Sequence, residues 1–257
     1  MMGWTGLATG STGLTGLEAL ILGLVQGLTE FLPVSSSGHL VVLQTLLGIE
    51  QSGILIEIVV HVATLASVLV FYRKRVGGLV AGALRGDSEA LRYGLKLGVA
   101  TVPAVVVVLI AGDFLDSLFE SPAAAGVGFL ITGAILWTTR RTLAAATRSE
   151  PGWGAALLIG CAQAFAIAPG VSRSGTTVCA ALALGIAPRA AAEFSFLMSV
   201  IAIVGAALRA LPEVGATPAG LVAPLAIAGA AALVSGVAAI WLFVRLLQQR
   251  SFHYFSY

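Results

Sequence analysis

Gln26-Gly27-Leu28-Thr29-Glu30-Phe31-Leu32-Pro33-Val34-Ser35-Ser36-Ser37-Gly38-His39 sets a carboxylate, three consecutive serine hydroxyls and an imidazole in apolar surroundings, with Pro33 and glycines breaking the helix between them. In a bilayer such groups are costly, and broken backbone persists only where protein or a water-filled cavity satisfies it. The apolar arms on either side, Leu17 to Leu32 and Gly38 to Gly48, each fall short of the ~20 residues that a crossing helix needs. They read as a re-entrant helical hairpin.

The stretch has an echo 137 positions on. Ala19-Leu20, Gly23 and Gln26 fall on Ala156-Leu157, Gly160 and Gln163; Val34-Ser35 and Ser37-Gly38 fall on Val171-Ser172 and Ser174-Gly175; Leu47-Gly48-Ile49 falls on Leu184-Gly185-Ile186. These are eleven identities, where composition alone gives roughly three. The chain therefore reads as two repeats, about 17–112 and 154–257, with a second hairpin over Gly154 to Ala187. The copies differ where chemistry would differ: Arg173 stands opposite Ser36, and Ile167 opposite Glu30.

Composition bounds the rest. Of 257 residues, 58% are hydrophobic and 10% charged, and the mean hydropathy is near +1. This is an all-α, polytopic membrane protein, a single integral membrane domain over 1–257 with no polar stretch long enough for a soluble one. A net charge of +2 gives no argument for nucleic acid. Cys161 and Cys179 lie in apolar sequence and read as two small buried hydrophobes rather than a disulfide.

Residues 1–16 form a Gly/Thr-rich tail without positive charge, neither a secretory leader nor a helix. Five full spans are expected besides the hairpins: Ile54 to Tyr72, Gly94 to Gly112 with a kink at Pro103, Ala123 to Thr139, Ala190 to Leu211, and Gly220 to Leu247. Val76 to Leu84 is too short to cross. Basic loops at 73–92 and 140–150 belong in the cytoplasm and the acidic loop at 113–120 outside. The first hairpin then enters from outside and the second from the cytoplasm, which makes the repeat inverted and places a site near the midplane.

The second break, Pro169-Gly170-Val171-Ser172-Arg173-Ser174-Gly175-Thr176-Thr177, reads as an anion site. A helix starting near Ser174 would turn its positive end into the cavity beside the Arg173 guanidinium, with Ser172, Ser174, Gly175 and Thr177 around it. Gln26 and Glu30, one turn apart, could hold a hard cation, Mg²⁺ or Ca²⁺, through oxygen; the alternative is a protonated Glu30 hydrogen-bonded in the core. Ser36 and His39, three apart, could be nucleophile and base. Alternatively, Ser36 caps a helix while His39 activates water. Ser35 and Ser37 complete the hydroxyl set for binding substrate. Glu57 and His61 either line the same cavity or form a satisfied core pair, and Glu193 with Arg189 reads as a helix-end ion pair.

Gln26-x-x-x-Glu30, Pro33 to His39 and Pro169 to Thr177 resemble the signature segments of the bacitracin-resistance type of undecaprenyl-diphosphate phosphatase, with weaker likeness at Glu57-x-x-x-His61 and Glu193 to Leu197. The resemblance runs from about residue 17 to the end. It implies hydrolysis of undecaprenyl diphosphate to the monophosphate and inorganic phosphate, recycling a cell-wall carrier lipid and conferring bacitracin resistance. It also implies a divalent cation, a place in the inner (plasma) membrane, and an active site open toward the outer face. Partners are then the polyprenyl diphosphate and membrane lipids; a homo-oligomer is left open. Gln26 departs from the family, which has an acid there. The chain also stops after Ser251 to Tyr257, where the family continues into one more span. The rival class is a transporter that flips a polyprenyl phosphate, since inverted repeats and broken helices serve carriage too.

Overall fold

The computed structural model describes residues 14–47, 53–119, 121–142, 146–214, 219–249 and 252–257. Within them every regular element is helical, apart from an isolated parallel bridge between Arg148 and Ile186. Most of the tail, residues 1–13, lies outside the described residues, as do Gly48, Ile49, Glu120 and 143–145.

The first hairpin opens with α1 (Gly16–Phe31). Thr15 and Glu18 form a reciprocal cap at its start, Thr15 N–H donating to Glu18 at 2.8 Å and Glu18 N–H to the Thr15 hydroxyl at 3.3 Å. Leu32 turns extended ahead of Pro33 and ends the helix. After the break comes α2 (Ser36–Leu47). Next, α3 (Gly53–Phe71) meets α4 (Arg73–Leu84) at an 80° bend, so the segment too short to cross is a surface helix angled off the span before it.

Two expectations are corrected in α5 (Ser88–Phe119). The acidic stretch from Asp113 is its last turns rather than a loop, because no breaker intervenes before Ser121-Pro122. The departure from helical dihedrals falls at Ala111 (φ −124°, ψ 23°), not at Pro103. Ser121 caps α6 (Pro122–Trp137), with Pro122 in its first turn. The short α7 (Thr139–Thr142) leads to the second hairpin, α8 (Trp153–Phe165) and α9 (Arg173–Ala183), and then to α10 (Pro188–Val214) and α11 (Val222–Gln248).

Four described helices are long and apolar enough to cross a membrane, and the count rises to five if the bent α3–α4 pair is one span. The hairpin helices, 16, 12, 13 and 11 residues long, are not. Leu109, Ile110 and Leu130 are each more than three-quarters exposed, the lipid-facing surface of a multi-pass membrane protein.

Glycines decide how the hairpins are held. A Cβ on Gly23 would overlap the Ala228 carbonyl oxygen, so α1 lies against α11. A Cβ on Gly160 would overlap the Ala100 carbonyl, so α8 lies against α5. Gly23 and Gly160 are partners under the 137-residue shift, and each hairpin leans on a long helix of the other repeat.

Between the spans, an edge-to-face series runs from Phe31 to Phe196 (5.4 Å), Phe243 (5.0 Å) and Phe252 (5.0 Å), which anchors Phe252 in the main core while Tyr254 and Tyr257 stay exposed. Glu193 pairs with Arg75 at 2.8 Å rather than with Arg189, and Arg75 also stacks over Tyr93. The partner comes from α4, whose bend carries it there. Both thiols are free; Cys179 is buried, but Cys161 is exposed on α8, against expectation.

Candidate active site

The two breaks meet tip to tip. In the first, Ser35 adopts the left-handed region (φ 65°), a conformation that costs a non-glycine residue about 1–3 kcal/mol and concentrates at functional sites. In the second, Gly170 takes that conformation (φ 82°), and a Cβ there would overlap the Ala125 carbonyl of α6. Thr132 pins this second break, donating to Gly170 O at 2.8 Å and accepting from Ser172 N–H at 2.9 Å. Ser172 caps α9 through Gly175 N–H (3.1 Å), and Ser35 lies 3.4 Å from Gly38 N–H in the equivalent place.

Glu30 is the hub. It is 6% exposed. Arg173 Nη2 donates to its Oε1. Its Oε2 accepts from Ser36 Oγ at 2.6 Å and from Gln26 Nε2 at 2.9 Å. His61 Nε2 stands 3.8 Å from the same oxygen. The His61 Nδ1–H donates to Glu57 O at 2.7 Å, since a carbonyl can only accept; in the neutral ring Nε2 is then the basic nitrogen. The positive end of α9 adds to the Arg173 charge. All of Glu30, Ser36, His61 and Arg173 line one cavity of about 620 Å³, otherwise walled by apolar side chains of α5 and α10 such as Val105, Val108 and Ile201.

His39 does not join them. On a helix, positions three apart sit roughly 60° apart around the axis, and here that turns His39 away from Ser36. Its Nδ1–H donates to Ser35 O at 2.8 Å, and its ring meets Phe129 of α6 edge-on at 5.1 Å, in a separate apolar cavity. The expected binding residues also divide. Ser35, Ser37 and Ser172 line the main cavity. Ser174 lies 3.4 Å from Leu32 O, and Thr177 is bonded to Arg173 O (2.7 Å) and Ser195 (2.6 Å). Gly175 admits Pro33, to which a Cβ would come within 3.0 Å. Ser174 and Gly175 hold the tips together from behind, and Thr177 ties α9 to α10.

A family model described as Bacitracin resistance protein BacA matches residues 19–257. The chain belongs to this family. Its similarity to curated BacA relatives is nearly end to end. A protein named undecaprenyl-diphosphatase from Desulfatibacillum aliphaticivorans is 39% identical over 258 residues, covering 93% of both chains. One of the same name from Carboxydothermus hydrogenoformans is 39% identical over 93% of this chain and 92% of its own. Another from Syntrophotalea carbinolica is 40% identical over 93% of each.

The residues present can take a hard cation only in part. Gln26 Oε1 is buried with no hydrogen-bond partner beside the Glu30 carboxylate, which gives two hard oxygens. Among the described residues no three His, Cys, Asp or Glu converge, so the remaining ligands would come from phosphate. Sequence reasoning left His61 between two readings, and nothing in the sequence pointed to Thr132.

Proposed function

We propose that the chain removes the terminal phosphate of a polyprenyl diphosphate, undecaprenyl diphosphate by its relatives' names, leaving the lipid monophosphate and inorganic phosphate. The observation that carries this is the Ser36 hydroxyl donating to a Glu30 carboxylate paired with Arg173, at one end of a largely apolar cavity. Arg173 moves from Glu30 to the diphosphate, for which its planar donors are suited. Ser36 Oγ attacks the terminal phosphorus as its proton passes to Glu30 Oε2. The bond to the bridging oxygen breaks, and the lipid monophosphate leaves with that oxygen. Water, its proton taken by His61 Nε2, then attacks the phosphoserine; the Ser36 oxygen regains a proton from Glu30, and inorganic phosphate is released. Arg173 and the start of α9 offset the charge on the phosphoryl oxygens throughout.

Glu30 and the Gln26 carbonyl would hold the Mg²⁺ or Ca²⁺, which supplies further neutralisation of phosphate charge when bound. His39 acts through Ser35: its bond to that carbonyl fixes the turn that presents Ser36. The protein sits in the inner membrane with the cavity open to the outer face, where recycling of the carrier lipid serves cell-wall synthesis and confers bacitracin resistance. A flippase reading draws on the opposed broken helices, but carriage has no use for a hydroxyl bonded to a carboxylate. The test is phosphate release from undecaprenyl diphosphate by the purified protein, with and without chelator. Release that chelator suppresses is expected; intact lipid binding without release would leave only carriage.

A further inference from the structure

Gln163 is the α8 counterpart of Gln26, and its circumstances differ in one respect. Gln26 donates its amide to Glu30 four residues on. Four residues beyond Gln163 stands Ile167, which offers nothing. Gln163 is 2% exposed, and neither its Nε2 nor its Oε1 has a hydrogen-bond partner. It also lines the cavity that holds Glu30, Ser36 and Arg173. Among the described residues it is the only one lining that cavity with an unpartnered buried side-chain polar atom.

A buried amide without a partner is a cost that apolar packing would remove, and such groups in a native protein call for a reason. Leucine or methionine would fill this place without that cost. The neighbouring chain gives the amide no acceptor, so the acceptor comes from what enters the cavity. On the phosphatase reading a diphosphate enters there, and its oxygens accept hydrogen bonds and carry charge.

We propose that Gln163 is a phosphate-binding residue, turning its amide N–H to an oxygen of the bound diphosphate. This rests on the phosphatase reading of the same cavity. It makes the two repeats functionally unequal: one glutamine orients the carboxylate, the other meets the substrate. Either phosphate of the substrate could present that oxygen, and the two products tell them apart.

The experiment compares the full-length wild type with Gln163→Leu and Gln163→Met in detergent. Thermal midpoint, kinetics on undecaprenyl diphosphate, and inhibition by inorganic phosphate and by undecaprenyl monophosphate are measured in parallel. A hydrogen bond to a charged oxygen lost from the complex raises KM about tenfold or more. The same factor appears in the inhibition constant of inorganic phosphate if the amide meets the terminal phosphate, or of the lipid monophosphate if it meets the retained one. The midpoint stays level or rises, since the unpartnered amide is gone. A lowered midpoint with unchanged KM makes Gln163 structural and overturns the proposal, as do unchanged KM and unchanged inhibition by both products. A wild type that releases no phosphate overturns the phosphatase reading instead. Binding of undecaprenyl diphosphate to the same variants then still decides whether the amide contacts it.

Discussion

Arg173 and Glu30 are 143 positions apart in the chain and form one largely buried ion pair, the carboxylate 4% and the guanidinium side chain 22% exposed, each from the tip of a different hairpin. Neither hairpin alone balances its own charge. Removing one partner of such a pair typically costs about 3–5 kcal/mol, because the other is left buried and uncompensated, whereas removing both can be neutral. Arg173→Gln is therefore expected to lower the thermal midpoint in detergent, and Glu30→Gln with Arg173→Gln to recover it without recovering turnover. A double variant no more stable than Arg173→Gln would show that the pair is not coupled in solution.

Ser36→Ala is expected to abolish phosphate release while diphosphate binding persists through Arg173. In the wild type, rapid quenching during turnover should trap phosphate on Ser36, detectable by mass spectrometry. Near-normal hydrolysis by Ser36→Ala would leave water as the attacking group.

The two histidines are separable. His61→Ala is expected to slow turnover by the ~10²–10⁴-fold of a missing general base and to change the pH profile. His39→Ala should also lose rate, but with an unshifted profile, because it acts by holding Ser35 O. His39→Asn, which can still donate to that carbonyl, should restore part of the rate. A profile that changes in His39→Ala would return the base to His39.

For the cation, Glu30→Gln should abolish divalent-dependent turnover. Gln26→Glu should lower the concentration of Mg²⁺ or Ca²⁺ needed for half-maximal rate, by adding a second carboxylate beside the first. An unchanged metal requirement in Gln26→Glu would remove that residue from the cation site.

Topology is checked by labelling single cysteines placed in a Cys161→Ala background. Ser149→Cys and Ala187→Cys should react from one face of the membrane, Ser11→Cys and Leu47→Cys from the other. Opposite reactivity within either pair would turn that hairpin into a crossing.

Much of this was legible because membrane sequence is strict. Five apolar runs and two broken ones translate directly into spans and hairpins, and the Pro33 and Pro169-Gly170 breaks lie where the helices end. Less legible was anything that depended on direction around a helix or on long-range pairing. Ser36 and His39 share a helix, but the left-handed turn at Ser35 sends Ser36 to Glu30 while His39 meets Phe129. Glu193 has Arg189 one turn away and still pairs with Arg75, because the 80° bend after α3 brings that guanidinium over. The acids from Asp113 looked like a loop by charge, yet no glycine or proline interrupts the helix between them.

The glycine contact between α1 and α11 sets an order of events during synthesis. The first hairpin emerges early, but the helix it rests on, at Ala228, follows roughly 200 residues later, about 10–40 s at the usual rates of translation. Through that interval Glu30 has neither its supporting helix nor, for most of it, Arg173. The residues that line the cavity are all made by Gly205, so the last long helix adds nothing to its walls; it arrives afterwards as the support against which α1 rests.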